Sequence, residues 1–115
     1  MSVYAFDLDG TLTRAPIAQL ARDLEAAGHT IHVVSGWLEH LGPWEAAIAA
    51  KAEQLRALGL SSNAPLHLCR GSTQTACAAG KAEALRRIGP LLFIDDMPLF
   101  CDASPIQALC VWRAP

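Results

Sequence analysis

Aromatic side chains are scarce in this chain: one Tyr, three Phe and three Trp make up 6% of its 115 residues. With 52% hydrophobic residues, the core must be built from aliphatic packing, and a charged fraction of only 17% argues against a disordered polymer. A basic surplus is also missing. The net charge is -2 and the nine Lys and Arg residues are scattered, so there is no strong nucleic-acid signature. No apolar run approaches the roughly 20 residues of a membrane helix, and the start, Met1 to Asp7, lacks the basic-then-apolar order of a leader. A cytoplasmic protein is expected, with no membrane partner. The four cysteines, Cys69, Cys77, Cys101 and Cys110, form no C-x-x-C pair and lie in or near apolar segments, where a reduced thiol acts as a small hydrophobe. The length suits a single domain over residues 1–115, because two domains of half this size would each bury too little surface.

What is present is an alternation. Short apolar runs at Val3 to Phe6 and Ile31 to Val34, both with β-branched residues, and similar runs at Pro65 to Cys69, Leu91 to Ile94 and Ala108 to Trp112 read as five strands. Between them, Ile17, Leu20, Ala21, Leu24 and Ala27 form a helical stripe closed by Gly28. Trp44, Ile48, Leu55 and Leu58 form another, entered through Pro43 and closed by Gly59. Lys81 to Ile88 and Pro98 to Ala103 supply two more helices, and Gly71 to Gly80 reads as loop with some helical turn. Ser61 to Ala64 reads as a polar turn. Strands apolar on both faces, alternating with helices, predict an α/β three-layer sandwich around a five-stranded parallel, Rossmann-like sheet.

In such sheets ligands bind beyond the carboxyl ends of the strands. Those ends carry Asp7, Ser35, Arg70 and the Asp95-Asp96 pair. Crowded carboxylates repel one another and invite a divalent cation, and an all-oxygen donor set favours Mg²⁺ over zinc. Asp7 and Asp9, two residues apart at a strand end, can share a space while differing in role, and Gly10 permits a tight reversal after them.

The segment Asp-Leu-Asp-Gly-Thr-Leu-Thr at residues 7–13 resembles the first motif of haloacid dehalogenase (HAD) superfamily phosphatases and phosphotransferases. Val33-Val34-Ser35-Gly36 resembles their second motif, Gly80-Lys81 the third, and Leu92-Phe93-Ile94-Asp95-Asp96 the fourth. The sequence has only two lysines, and Lys51 falls mid-helix, which leaves Lys81 with almost no competitor. The resemblance implies a Mg²⁺-dependent phosphomonoester hydrolase in which Asp7 attacks phosphorus to form an aspartyl phosphate. Asp9 then acts as acid and base, and Lys81 offsets charge. Ser35, with Thr11, Gly36, Arg14 and Arg70, would hold the substrate. It also implies that Mg²⁺ is held by Asp7, the Asp9 carbonyl and Asp96, with Asp95 in support and Asp102 a loose match to a further acidic position.

No stretch has room for a cap domain, and an uncovered site suits a phosphorylated macromolecule such as a polynucleotide end or a phosphoprotein. Trp37 and His40 are further candidates for the rim. The alternatives are a phosphotransferase of the same fold, a receiver-like phospho-accepting domain, and a non-catalytic binding module. A receiver places its acidic pair after the first strand and its phosphorylated Asp after the third, whereas the third strand here ends in Cys69-Arg70.

Overall fold

A computed structural model describes residues 1–60 and 64–111. Five strands, β1 (Val3–Phe6), β2 (Thr30–Leu38), β3 (Leu66–Gly71), β4 (Leu92–Asp95) and β5 (Ala108–Cys110), form one sheet in the order β3-β2-β1-β4-β5. Every pairing is parallel. Helices α1 (Ala15–Ala26), α2 (Trp44–Ala57), α3 (Gln74–Ile88) and α4 (Pro98–Ala103) connect them. The expected α/β sandwich with a five-stranded parallel sheet and no cap domain is therefore present. The polar turn at Ser61 to Ala64 and the final strand's end at Trp112 lie wholly or partly outside the described residues.

Alternate residues of each strand feed two cores. Phe6, Ile31, Val33 and Ile94 pack with Leu8, Leu12 and Ala21, and Leu24 of α1 and Leu55 of α2 lie against them. Ala5, Val34 and Phe93 pack on the opposite face with Cys77, Ala78 and Leu85 of α3 and Phe100 of α4. Both faces of the sheet are covered, which is why its strands read as unbroken apolar runs. Among the described residues, no helix is long and apolar enough to cross a membrane.

Two boundaries differ most from expectation. The β2 strand runs on to Leu38, so Ser35 lies inside it, held there by pairing of Ser35 to Leu38 with Leu68 to Gly71. The segment predicted as loop from Gly71 to Gly80 is mostly the first half of α3, which begins at Gln74. Thr73 caps that helix, its hydroxyl accepting from the Ala76 N–H at 3.1 Å. Gly80 is a poor helix former, tolerated because the helix presses onto β3 at this point: a Cβ added there would lie 3.1 Å from Cys69 Cβ. All four cysteines are free thiols.

Candidate functional site

The chain leaves β1 at Asp7 and reverses through a broken helical turn, Leu8–Leu12. Gly10 makes the reversal with a φ of 78°, and its bare backbone leaves room for Asp96, whose Oδ2 would stand 2.4 Å from an added Cβ. This close approach brings the end of β1 against the end of β4. Oxygens of Asp7, Asp95 and Asp96 all lie within 4.8 Å of one another.

Hydrogen bonds fix the three carboxylates unequally. Asp95 is fully buried, accepts from Lys81 Nζ at 2.9 Å through Oδ2 and accepts from the Met97 N–H at 3.0 Å through Oδ1. Asp7 accepts from Lys81 Nζ at 2.8 Å through Oδ1. Its other oxygen faces the Thr11 hydroxyl at 3.1 Å, and the same hydroxyl faces Asp96 Oδ1 at 3.3 Å. A hydroxyl has one proton to donate, so it satisfies only one of these carboxylates at a time. The Asp7 and Asp96 oxygens thus converge with a single proton between them. This donor set, hard oxygens with a repulsion to relieve, fits a Mg²⁺ ion.

Electrostatics follow from burial. Desolvation raises the Asp7 carboxyl to about 7, against the pull of Lys81 and with help from the charges of Asp95 and Asp96. Burial likewise raises Asp95, again opposed by Lys81. Burial works against the charge on Lys81, but Asp7 and Asp95 outweigh it and hold the ammonium above its usual range. The ring of Phe100, 3.8 Å from Nζ, adds a cation–π contact.

Beside this cluster opens a cavity of about 210 Å³. Asp7, Asp9, Asp96, Ser35, Gly36, Lys51 and Lys81 line it, together with the apolar Trp37, Leu38, Leu41, Met97 and Phe100. The Ser35 Oγ is buried there without a hydrogen-bond partner. Gly36 forms part of the lining where the stem of Lys81 passes, an added Cβ lying 3.6 Å from Lys81 Cε.

Several predicted residues are placed differently. The Asp9 carboxylate is paired with Lys51 and stands apart from the three clustered carboxylates. Thr11 is fully buried and holds carboxylates in place of lining the cavity. Arg14 donates to the Val111 carbonyl at 3.2 Å and ties α1 to the chain after β5, outside the cavity. Arg70 lies over the Trp44 ring in a separate cleft. His40 and Asp102 are exposed and line neither space.

Lys51 is the residue that sequence reasoning missed. Its side chain is buried and lines the cavity, 5.9 Å from the centre of the Trp37 ring. The signal was in the helical register: Ala47, Lys51, Leu55 and Leu58 form the inward stripe, whereas Ile48 is 41% exposed.

No family model matches the sequence, and no curated protein matches it. A solved structure does. A universal stress protein in complex with cAMP aligns over 98% of this chain and 98% of its own, with a TM-score of 0.63 and 10% identity. At that identity the likeness carries the Rossmann-like fold.

The reading of the chain as a HAD phosphohydrolase is corrected by these findings. No family match supports it, and a solved structure that shares the fold end to end belongs to a different family. Hydrolase, phosphatase and phosphotransferase activity, Asp7 as a nucleophile and Asp9 as an acid–base residue were implications of that family and fall with it. The reason is physical. A parallel α/β sheet gathers strand-end side chains along one edge, so Asp-x-Asp, Ser-Gly, a helical Lys and Asp-Asp in that order describe the edge before they describe a reaction.

Proposed function

We propose that this protein is a Mg²⁺-dependent binder of a small phosphorylated ligand, with a nucleotide as the ligand class. The convergence of Asp7 and Asp96 on the single Thr11 proton carries the reading. Mg²⁺ would be held by Asp7 and Asp96, with Asp95 and Lys81 fixing the orientation of Asp7. The ion would supply the positive charge that draws a phosphate into a cavity otherwise rich in carboxylates.

Ser35 Oγ is the donor left over for a phosphate oxygen, being buried against the cavity without a partner. Lys81, shielded from water, contributes charge from behind Asp7. The cavity of about 210 Å³ suits a small ligand, or the phosphate end of one, better than a polynucleotide end or a phosphoprotein. The fold neighbour was solved with cAMP, which favours a nucleotide within the class of phosphate esters. Asp7 and Lys81 hold each other in this reading, and no bond of the ligand is broken.

The test is calorimetric titration of nucleoside monophosphates into the protein with millimolar Mg²⁺ and with EDTA. Binding that requires Mg²⁺ and is lost in Asp96→Asn supports the reading. Metal-independent binding, or turnover of the bound nucleotide, overturns it.

A further inference from the structure

A second cleft, of about 360 Å³, opens where β2 ends and α2 begins. Trp37, Glu39, Gly42, Trp44 and Arg70 line it. Trp37 also lines the cavity beside Asp7, so one indole forms a wall common to both spaces. The sheet register makes this arrangement: Trp37 on β2 is paired with Arg70 on β3, the two side chains leaving the same face of the sheet. Gly42 turns the chain after β2 with a φ of 146°, and a Cβ added there would lie 3.9 Å from Trp37 Cζ2. Arg70 then lies 5.1 Å from the centre of the Trp44 ring.

These are the components of a seat for a flat aromatic ring. Indole and guanidinium faces both stack on nucleobases, and such stacking tolerates any base because each has a π-face. Glu39 adds a carboxylate able to accept from an exocyclic amine. The indole Nε1 of Trp37 is buried without a hydrogen-bond partner, which leaves a donor at the wall between the two spaces. Two of the chain's three tryptophans are spent on this one cleft, in a protein whose aromatics are only 6% of residues.

We propose that the cleft of Trp37, Trp44, Arg70 and Glu39 seats the nucleobase of a nucleotide whose phosphate lies beside Asp7 and Ser35. The assignment rests on the phosphate-binding reading above and extends it from phosphate to base. The ligand crosses Trp37, with its phosphate in the deeper cavity and its base on Trp44 and Arg70.

The experiment compares adenosine 5′-monophosphate, ribose 5-phosphate and adenosine, each titrated with Mg²⁺ into the native chain, Trp44→Leu and Arg70→Gln, by calorimetry and by quenching of tryptophan fluorescence. The nucleotide should bind on the order of tenfold or more tighter than ribose 5-phosphate. Trp44→Leu should erase that ratio and leave ribose 5-phosphate binding unchanged. Arg70→Gln, an exposed position whose substitution spares the core, should reduce the ratio if Trp44→Leu fails to fold. Equal affinities for nucleotide and sugar phosphate in the native chain, or a ratio that survives both substitutions, overturn the base seat while leaving phosphate binding intact. Quenching by adenosine with no binding of ribose 5-phosphate supports the seat and removes the phosphate reading. If none of the three ligands binds, both are overturned.

Discussion

Lys81 Nζ stands 2.8 Å from Asp7 Oδ1 across 74 residues of sequence, and both groups are almost sealed from solvent. The contact joins the N-terminal half of the sheet edge to α3. It is doubled by the 2.9 Å contact to Asp95, so one ammonium serves two buried carboxylates. Removing the ammonium strands both charges in a low-dielectric site. Lys81→Met should therefore lower unfolding free energy by about 3–5 kcal/mol in urea titrations with EDTA present. Millimolar Mg²⁺ should restore part of the loss, because the ion replaces the missing positive charge. A variant as stable as the native chain without metal would show that the pair contributes little.

Asp7 provides a pH test of the metal site. Its carboxyl is raised to about 7 by burial, from 3.8 when exposed, so the metal-free folded state holds a proton that the unfolded chain has released. The stabilisation from that proton is complete below 3.8 and is lost as pH rises through about 7. Mg²⁺ needs the carboxylate and displaces the proton. Thermal melts between pH 5.5 and 8.5 (roughly a unit and a half either side of the Asp7 midpoint) should show a Mg²⁺-induced rise in Tm that grows with pH. A rise independent of pH would remove Asp7 from the ligand set.

Asp96 and Asp9 should behave differently. Asp96 converges with Asp7 on one hydroxyl proton, whereas the Asp9 carboxylate is occupied by Lys51. Asp96→Asn should abolish stabilisation by Mg²⁺, worth about 2.7 kcal/mol at a hundredfold excess over Kd, while Asp9→Asn should preserve most of it. Differential scanning fluorimetry with and without Mg²⁺ separates them. Equal losses in both variants would place the Asp9 side chain on the metal.

How much of this was legible beforehand depended on which physical signal each residue sends. Val3 to Phe6 and Pro98 to Ala103 were readable to the residue, since β-branched runs and an N-terminal proline act locally. Gly71 to Gly80 was misread in part because Gly80, which weakens helix propensity, is the residue that lets α3 press onto β3. Asp7, Asp95 and Asp96 could be gathered from strand-end positions, whereas Lys81, inside α3, was reached only through the family resemblance. Arg14 could not be excluded, since its carbonyl partner Val111 lies 97 residues away. The family reading went too far because short polar motifs follow from the architecture, and chemistry was inferred from their order.

The stacked histidines His32 and His67 make stability depend on acid in the opposite sense to Asp7. Their rings lie 5.2 Å apart at 14°, and Nδ1 of His32 faces Nε2 of His67 at 3.0 Å, so one nitrogen must donate and the other accept. Burial lowers both pKa values, and His32 and Arg87 lower that of His67 further. As pH falls below 6.5 the unfolded chain takes up protons first, and stability drops until the folded values are passed. Comparing native and His67→Gln denaturation at pH 7 and pH 5 (about a unit and a half below the free histidine value) cancels the Asp7 contribution. The native chain should lose more stability on acidification than the variant, and equal losses would mean the pair does not titrate in this range.

Gly10 links backbone geometry to the metal site in a way a second glycine can control for. Its φ of 78° is unfavourable for any residue with a Cβ, and that Cβ would stand 2.4 Å from Asp96 Oδ2. Gly28 has a φ of 94° with nothing within 4 Å of an added Cβ, so alanine there meets only the backbone penalty. Both Gly10→Ala and Gly28→Ala should cost about 1–2 kcal/mol from the left-handed backbone alone. Only Gly10→Ala displaces Asp96 from Asp7, and only it should lose stabilisation by Mg²⁺. If Gly10→Ala kept the full response, the convergence of Asp7 and Asp96 would not be what holds the ion; if Gly28→Ala lost it as well, the response would track general stability and not the geometry of this edge of the sheet.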